Sequence, residues 1–262
     1  MESYRLEGQT FVIDDYDRKP AFSSFLPGLA GVKGIPLWTF YTNRGQGMNS
    51  FGIDNKGNAI MEFNSANTAF ENTQVKGFRT FLKIDGEYYE PFFTYEKEAK
   101  RQMRMNKNSF KIIETNEKYG IEVTVNYYVL PNESIGALVR QVSVKNIGDS
   151  AKEVQVIDGL PKIITYGIAN SEFKEMSNLF KSWADIRNLE NKVPYYTLRA
   201  STKDSAEVSD VEGGYYYLTV RDGKLQDVIY DVDTVFGYDL SLMTPVNFID
   251  GSIEGVLSKE QC

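Results

Sequence analysis

The chain has 262 residues, of which 42% are hydrophobic, and it carries a formal net charge of −7 with a single cysteine and no histidine. This length can bury a large core. Without histidine the chain cannot itself hold a Ser-His-Asp triad or a histidine metal site, and with only Cys262 it cannot form an internal disulfide or a cysteine metal cluster. Its acidic balance, with lysine and arginine scattered, argues against a nucleic-acid partner.

The sequence has no apolar run long enough to cross a membrane, since stretches such as 127–131 are far too short. Residues 1–8 alternate charged and polar side chains and lack the apolar stretch of a signal peptide. Together with the single cysteine, these features predict a cytoplasmic protein with no membrane partner.

Alternation of apolar and polar residues is the dominant pattern, and it predicts strands separated by turns. Residues 121–127, for example, are apolar at odd positions and polar at even ones. Many such strands at regular intervals favour an all-β fold, namely a large two-sheet antiparallel sandwich. The predicted strands are 10–14, 37–42, 59–63, 78–84, 88–94, 110–115, 121–127, 138–145, 152–157, 195–200, 215–220 and 228–230.

The most unusual stretch is 33–52, where a strand runs into closely spaced glycines at 45, 47 and 52. Glycines let a backbone take positive φ or approach a neighbour closely. The stretch lacks the Gly-Lys-Ser/Thr of a phosphate-binding P-loop. It is either a tight connection between strands or a loop that meets a ligand, and in the second case Arg44 and Gln46 are the candidate donors.

Three further turns are marked by polar residues. The Asn-Ile-Gly-Asp sequence at 146–149 predicts a turn that links antiparallel strands. The carboxylates at 14–17 and 231–233 are the obvious pairs for glycoside hydrolysis, but both lie in turn-like settings and are interpreted as surface turns.

One segment departs from the strand pattern. Between 171 and 189, apolar residues recur at helical spacing, which predicts one principal amphipathic helix that ends before Pro194. Trp183 is either a core residue or a sugar-stacking platform, and the same ambiguity applies to the 17 Tyr, 16 Phe and 2 Trp of the whole chain. Lys181 and Arg187 would point away from the buried face and could meet a substrate.

Several stretches carry a family resemblance. Residues 11–13, 20–28 and 43–52 resemble the opening of the inverting glycoside phosphorylases of the cellobiose phosphorylase type. Residues 22–34, 61–64 and 76–81 are more similar to the 1,2-β-oligoglucan phosphorylase branch of that family.

The resemblance implies that residues 1–262 form a single head domain, a galactose mutarotase-like β-sandwich at the N-terminus of a longer chain. In such enzymes the general acid and the phosphate-binding residues lie in a downstream helical barrel, so no catalytic residue is assigned here. Inorganic phosphate would be a co-substrate, the oligosaccharide and the downstream domain would be the partners, and no metal or cofactor is implied. A homodimer is compatible with the resemblance.

The functional alternatives follow from this. The first is the head domain of a β-1,2-glucooligosaccharide phosphorylase, with Arg44, Gln46, Lys181, Trp183 and Arg187 as candidate substrate contacts. The second is a free-standing carbohydrate-binding module without catalysis. A sugar epimerase on a similar sandwich is disfavoured because such enzymes use histidine, which the chain lacks.

Overall fold

The computed structural model describes residues 3–26, 28–93, 98–202 and 206–261, without the side chains of 177 and 178. The described chain is mainly β, and every pairing between its strands is antiparallel, which confirms the all-β prediction at that level. The strands are β1 (Tyr4–Glu7), β2 (Thr10–Asp14), β3 (Ser23–Phe25), β4 (Leu29–Ala30), β5 (Ile35–Thr42), β6 (Met48–Ile53), β7 (Ala59–Met61), β8 (Arg79–Ile84), β9 (Glu87–Tyr89), β10 (Lys100–Met105), β11 (Ser109–Asn116), β12 (Ile121–Val129), β13 (Leu138–Asn146), β14 (Val154–Gly159), β15 (Ala184–Arg187), β16 (Tyr195–Leu198), β17 (Tyr215–Tyr216), β18 (Val220–Arg221) and β19 (Lys224–Leu225).

Short helices complete the described structure. The α-helices are α1 (Ala66–Asn72), α2 (Asn170–Met176), α3 (Asp233–Phe236), α4 (Val246–Asp250) and α5 (Ile253–Leu257). Short 3-10 helices lie at Tyr16–Arg18, Lys56–Asn58, Ser177–Ser182 and Leu189–Asn191. No helix in the described part of the chain is long and apolar enough to cross a membrane.

The largest sheet contains six strands in the order β1-β2-β10-β11-β12-β13. Its central strands follow the predicted alternation, since the odd positions of β12 from Ile121 to Tyr127 are buried and the even ones are partly exposed. A strand with one apolar face is held in a single register, because a slip of one residue would turn that face to water.

The other strands form smaller sheets. One has the order β3-β5-β6-β7, with β4 also paired to β5, and another has the order β14-β8-β9. A third, β15-β16-β17, follows α2, and β18 pairs with β19 as a short hairpin.

The main hydrophobic core contains residues from three of these sheets. Ile112 and Val125 come from the six-stranded sheet, Met48 and Phe51 from β6, and Leu82 from β8, and each is at least nine-tenths buried. Tyr41 and Phe110 stack with their ring centroids 4.4 Å apart, which joins β5 to β11. A second cluster surrounds Phe173 and Leu198, and a third lies under helices α3–α5.

Arg79 fixes the third cluster to the sheets. Its guanidinium forms two hydrogen bonds to Glu90, of 2.7 and 2.8 Å, and also donates to the backbone carbonyls of Leu242 and Met243. The same group lies over the rings of Phe81 and Phe236, 4.7 and 5.6 Å from their centroids. One buried cation therefore joins β8, the end of β9 and the C-terminal helical segment.

Three sequence expectations differ from the structure. The predicted helix over 171–189 covers only α2 and the following 3-10 turn, and the chain then extends as β15, where Ile186 pairs with Tyr196. The turn at 146–149 does connect two strands, but β13 and β14 do not pair with each other, because β14 pairs with β8 in another sheet. The predicted strand at 228–230 is irregular backbone. Thr94, the last residue of the predicted strand at 88–94, lies outside the described residues.

We expect Arg79→Met to lower the free energy of unfolding by about 3–5 kcal/mol, because Glu90 would be left as an unpaired buried charge. Urea denaturation followed by circular dichroism measures this change. Arg104→Met is the matched control, since its ion pair with Glu7 is half-exposed and should contribute less than about 1 kcal/mol. The double variant Arg79→Met/Glu90→Gln should be less destabilised than Arg79→Met, and equal losses for the two single variants would contradict this interpretation.

Candidate functional site

The glycine-rich stretch is a hairpin turn between β5 and β6. Gly45 and Gly47 have φ angles of 48° and 83°, in the left-handed region that glycine tolerates best. A Cβ atom on Gly47 would lie 2.3 Å from the Phe110 ring, so the turn also needs glycine for close packing on β11. Residues 48–52, expected as part of the loop, belong to strand β6.

The two polar candidates of this turn have different surroundings. Arg44 is half-buried and donates to the backbone carbonyls of Asn43, at 2.7 Å, and Lys19, at 3.3 Å. Gln46 is only 4% exposed, and its amide nitrogen donates to the Thr80 hydroxyl at 3.1 Å. Both side chains therefore hold the turn against its neighbours.

Gln46 belongs to a cluster formed around Arg140, which the sequence analysis did not single out. The Arg140 guanidinium donates to Gln46 Oε1, to Thr80 Oγ1 at 3.0 Å and to Asp158 Oδ1 at 2.7 Å. It lies over the rings of Phe78 and Tyr127, whereas its Nε atom is buried without a hydrogen-bond partner among the described residues. This cluster links β13 of the six-stranded sheet to β8 and β14.

The sequence does contain a signal for Arg140. It shares the inward face of β13 with Leu138 and Val142, which pack against the main core. A charged residue at an inward position of an alternating strand requires buried partners. Those partners come from distant segments, so the sequence alone could not name them.

The other three candidates lie between residues 181 and 187. Lys181 is exposed on the 3-10 turn, and Trp183, which follows that turn, is 40% exposed. Trp183 belongs to none of the hydrophobic clusters of the described residues, so its interpretation as a core residue is wrong. Arg187, at the end of β15, donates to Asp185 at 2.7 Å and to the Tyr195 hydroxyl at 3.3 Å.

Four segments form a cleft lined by both polar and apolar side chains, which we call the lysine cleft. The segments are β6, the stretch from β7 to Lys76, the stretch after β14, and α2. The lining residues are Asn49, Met61, Glu62, Asn64, Ala69, Asn72, Lys76, Lys162, Ile163, Ile164 and Phe173.

Local backbone geometry places the amide of Asn49 in this cleft. In the pairing of β5 with β6, Tyr41 is opposite Met48 and Phe40 is opposite Ser50, so Asn49 is the extra residue of a β-bulge. Bulges redirect side chains and are common next to binding sites. Asn49 is 9% exposed, and its side chain has no hydrogen-bond partner among the described residues.

Positive charge is concentrated at the lysine cleft. The ammonium of Lys162 lies 4.6 Å from the centroid of the Phe173 ring. Burial, together with the charges of Lys76 and Lys181, lowers the pKa of Lys162, whereas Glu62 acts in the opposite direction. Glu62 is also 3.9 Å from Lys174. Lysines gathered in this way raise the local positive potential on an otherwise acidic chain.

The acidic clusters noted in the sequence serve the fold. Arg101 binds Asp17 at 2.6 Å and Glu114 at 2.5 Å, with all three side chains at least 94% buried. Asp14 accepts from Arg5 and Gln102, and Asp231 accepts from the backbone of Asp233. Burial raises the pKa of Glu114, although Arg101 opposes this effect. The described residues contain no group of three or more metal-ligating side chains placed to hold an ion.

The candidate site was only partly accessible from sequence. Lys181 was identified, but Asn49, Asn72, Lys76 and Lys162 come from separate segments without a shared motif. Neither a protein-family model nor a curated protein matches the chain. Functional interpretation therefore depends on the residues themselves.

We expect Trp183→Ala to change the free energy of unfolding by no more than about 1 kcal/mol, because the indole lies outside the core clusters. Phe180→Ala is the matched control on the same turn. Phe180 is 6% exposed and packs edge-on against Phe173, so its truncation should cost about 3–5 kcal/mol. Both values come from denaturant unfolding, and a loss at Trp183 as large as that at Phe180 would restore the core interpretation.

Proposed function

We propose that this chain is the N-terminal domain of an inverting phosphorylase that acts on β-1,2-glucooligosaccharides in the cytoplasm. In this proposal the domain supports the active site and the assembly of the enzyme, and the chemistry takes place in a downstream helical domain. Phosphate attacks the anomeric carbon itself, so such an enzyme needs one general acid and no base to activate water. The product would be α-glucose 1-phosphate.

The finer fold assignment is part of this proposal. We infer that the strands form a two-sheet sandwich of the galactose mutarotase type over one domain, residues 1–262. The support is the main core, where Ile112 and Val125 of the six-stranded sheet occur with Phe51 of β6 and Leu82 of β8. Of the residues that carry the family resemblance, 11–13 lie in β2 and 79–81 lie in β8.

The observation that carries the functional proposal is the exposed indole of Trp183, which follows the 3-10 helix that carries Lys181. Trp183 is 40% exposed, and Lys181, two residues earlier, contributes to the electrostatic potential at Lys162. A flat aromatic face beside polar side chains suits a sugar, whose ring presents both C–H groups and hydroxyls. The buried carboxylates Asp17, Glu90 and Glu114 are engaged by arginine, which suits a supporting domain.

The same indole also favours a second candidate, a carbohydrate-binding module that acts without catalysis. Both candidates predict sugar binding through Trp183. They differ in whether the native gene product releases glucose 1-phosphate from a β-1,2-glucooligosaccharide when phosphate is present.

The decisive assay incubates the full-length gene product with sophorotriose and inorganic phosphate. We expect glucose 1-phosphate from the full-length product and none from residues 1–262 alone. Calorimetry should also detect sugar binding, and Trp183→Ala should weaken it about tenfold, if roughly 50 Å² of the ring is covered at about 25 cal/mol per Å². Phosphorolysis by the isolated chain would refute the supporting role, and sugar binding without phosphorolysis by the full-length product would select the binding-module alternative.

A further inference from the structure

We propose that the lysine cleft is a binding site for a phosphate group, carried either by inorganic phosphate or by a sugar phosphate. The site would lie in this domain, apart from any catalytic centre in a downstream domain. It does not depend on the proposed phosphorylase activity, because the argument uses only the charge, position and hydrogen-bonding capacity of the described residues, including the exposed lysines at 76, 162 and 181.

The first step of the argument is excess positive charge. Lys76 and Lys162 line the cleft, and neither forms an ion pair with any described residue. Lys181 is close enough for its charge to affect Lys162. The carboxylate of Glu62 is shared with Lys174, so it does not balance the three lysines. A dianion would relieve the repulsion between them.

The second step is the presence of unused neutral donors. Asn49 and Asn72 line the cleft, and neither side chain has a hydrogen-bond partner among the described residues. The amide atoms of Asn49 and Asn72 are not among the buried unpaired side-chain atoms of the described residues, so they are open to solvent at the cleft and can donate to a bound ligand. Phosphate oxygens accept from both amides and ammonium groups, so one ligand group satisfies both kinds of donor.

The third step is how the fold holds Lys162. Its ammonium lies over Phe173, which is 3% exposed and fixed by its edge-on contact with Phe180. The backbone of Ile164 donates to Ile60 at 2.8 Å, which anchors the segment that carries Lys162. A lysine held above a rigid ring, near other lysines, is positioned for an anionic partner.

The test measures binding to residues 1–262 by isothermal titration calorimetry, with inorganic phosphate and glucose 1-phosphate as probes and glucose as the neutral control. We expect both phosphates to bind and glucose to bind far more weakly at this site. Equal affinities for the two phosphates would show that the phosphate group alone is recognised. Tighter binding of glucose 1-phosphate would identify a sugar phosphate as the preferred source.

Lys162→Met keeps the side-chain stem over Phe173 but removes the charge, and it should lower phosphate affinity about tenfold or more. Lys107→Met is the matched control, since it removes an exposed lysine from the turn between β10 and β11. Thermal unfolding confirms that both variants are folded. The proposal is overturned if neither phosphate binds, or if the two variants bind phosphate equally well. A failure of phosphate to bind here would not change the result of the phosphorolysis assay with the full-length product. The binding-site proposal and the phosphorylase proposal can therefore fail independently of each other.

Discussion

Buried arginines, each matched to a partner on another segment, hold the elements of this protein together. Arg101 joins the six-stranded sheet to the turn at Asp17, Arg140 joins that sheet to β8 and β14, and Arg79 joins β8 to the C-terminal helices. A charge taken out of water must be paired and hydrogen-bonded, so each arginine fixes the geometry around it. Hydrophobic packing supplies the favourable burial, and these cations determine which surfaces meet.

The same requirement separates structural polar groups from those available to a ligand. Gln46 looks like a free donor in the sequence, yet its amide is engaged by Thr80 and Arg140. Asn49, the extra residue of the β-bulge, lines the lysine cleft and has no hydrogen-bond partner among the described residues. The hydrogen bonds that a side chain already makes within the fold therefore separate structural groups from candidate ligand donors better than glycine content or side-chain type does.

Local periodicity predicted the all-β class and many of the strands, because one face of β11 and β12 is buried and the alternation of apolar and polar residues reflects this. It failed at 184–187, where helical spacing of Trp183 and Ile186 is overridden by pairing of β15 with β16. The sequence also could not predict which strands pair with each other, because β13 and β14 are consecutive in the chain but lie in different sheets. The lysine cleft could not be predicted because tertiary contacts alone bring Lys76 and Lys162 together.

The separation of β13 from β14 has a consequence for synthesis on the ribosome. Strands β10 to β13 each pair with the next along the chain, so that part of the sheet can form as it emerges. Strand β8 pairs with β9 on one side, but its other partner is β14. Ile84 of β8 therefore cannot pair on that other side until Val154, seventy residues later in the chain, is available. Until then one edge of the β8–β9 hairpin is open to other chains. A pause in translation that holds residues 154–159 inside the ribosome should therefore increase aggregation more than a pause after these residues have emerged.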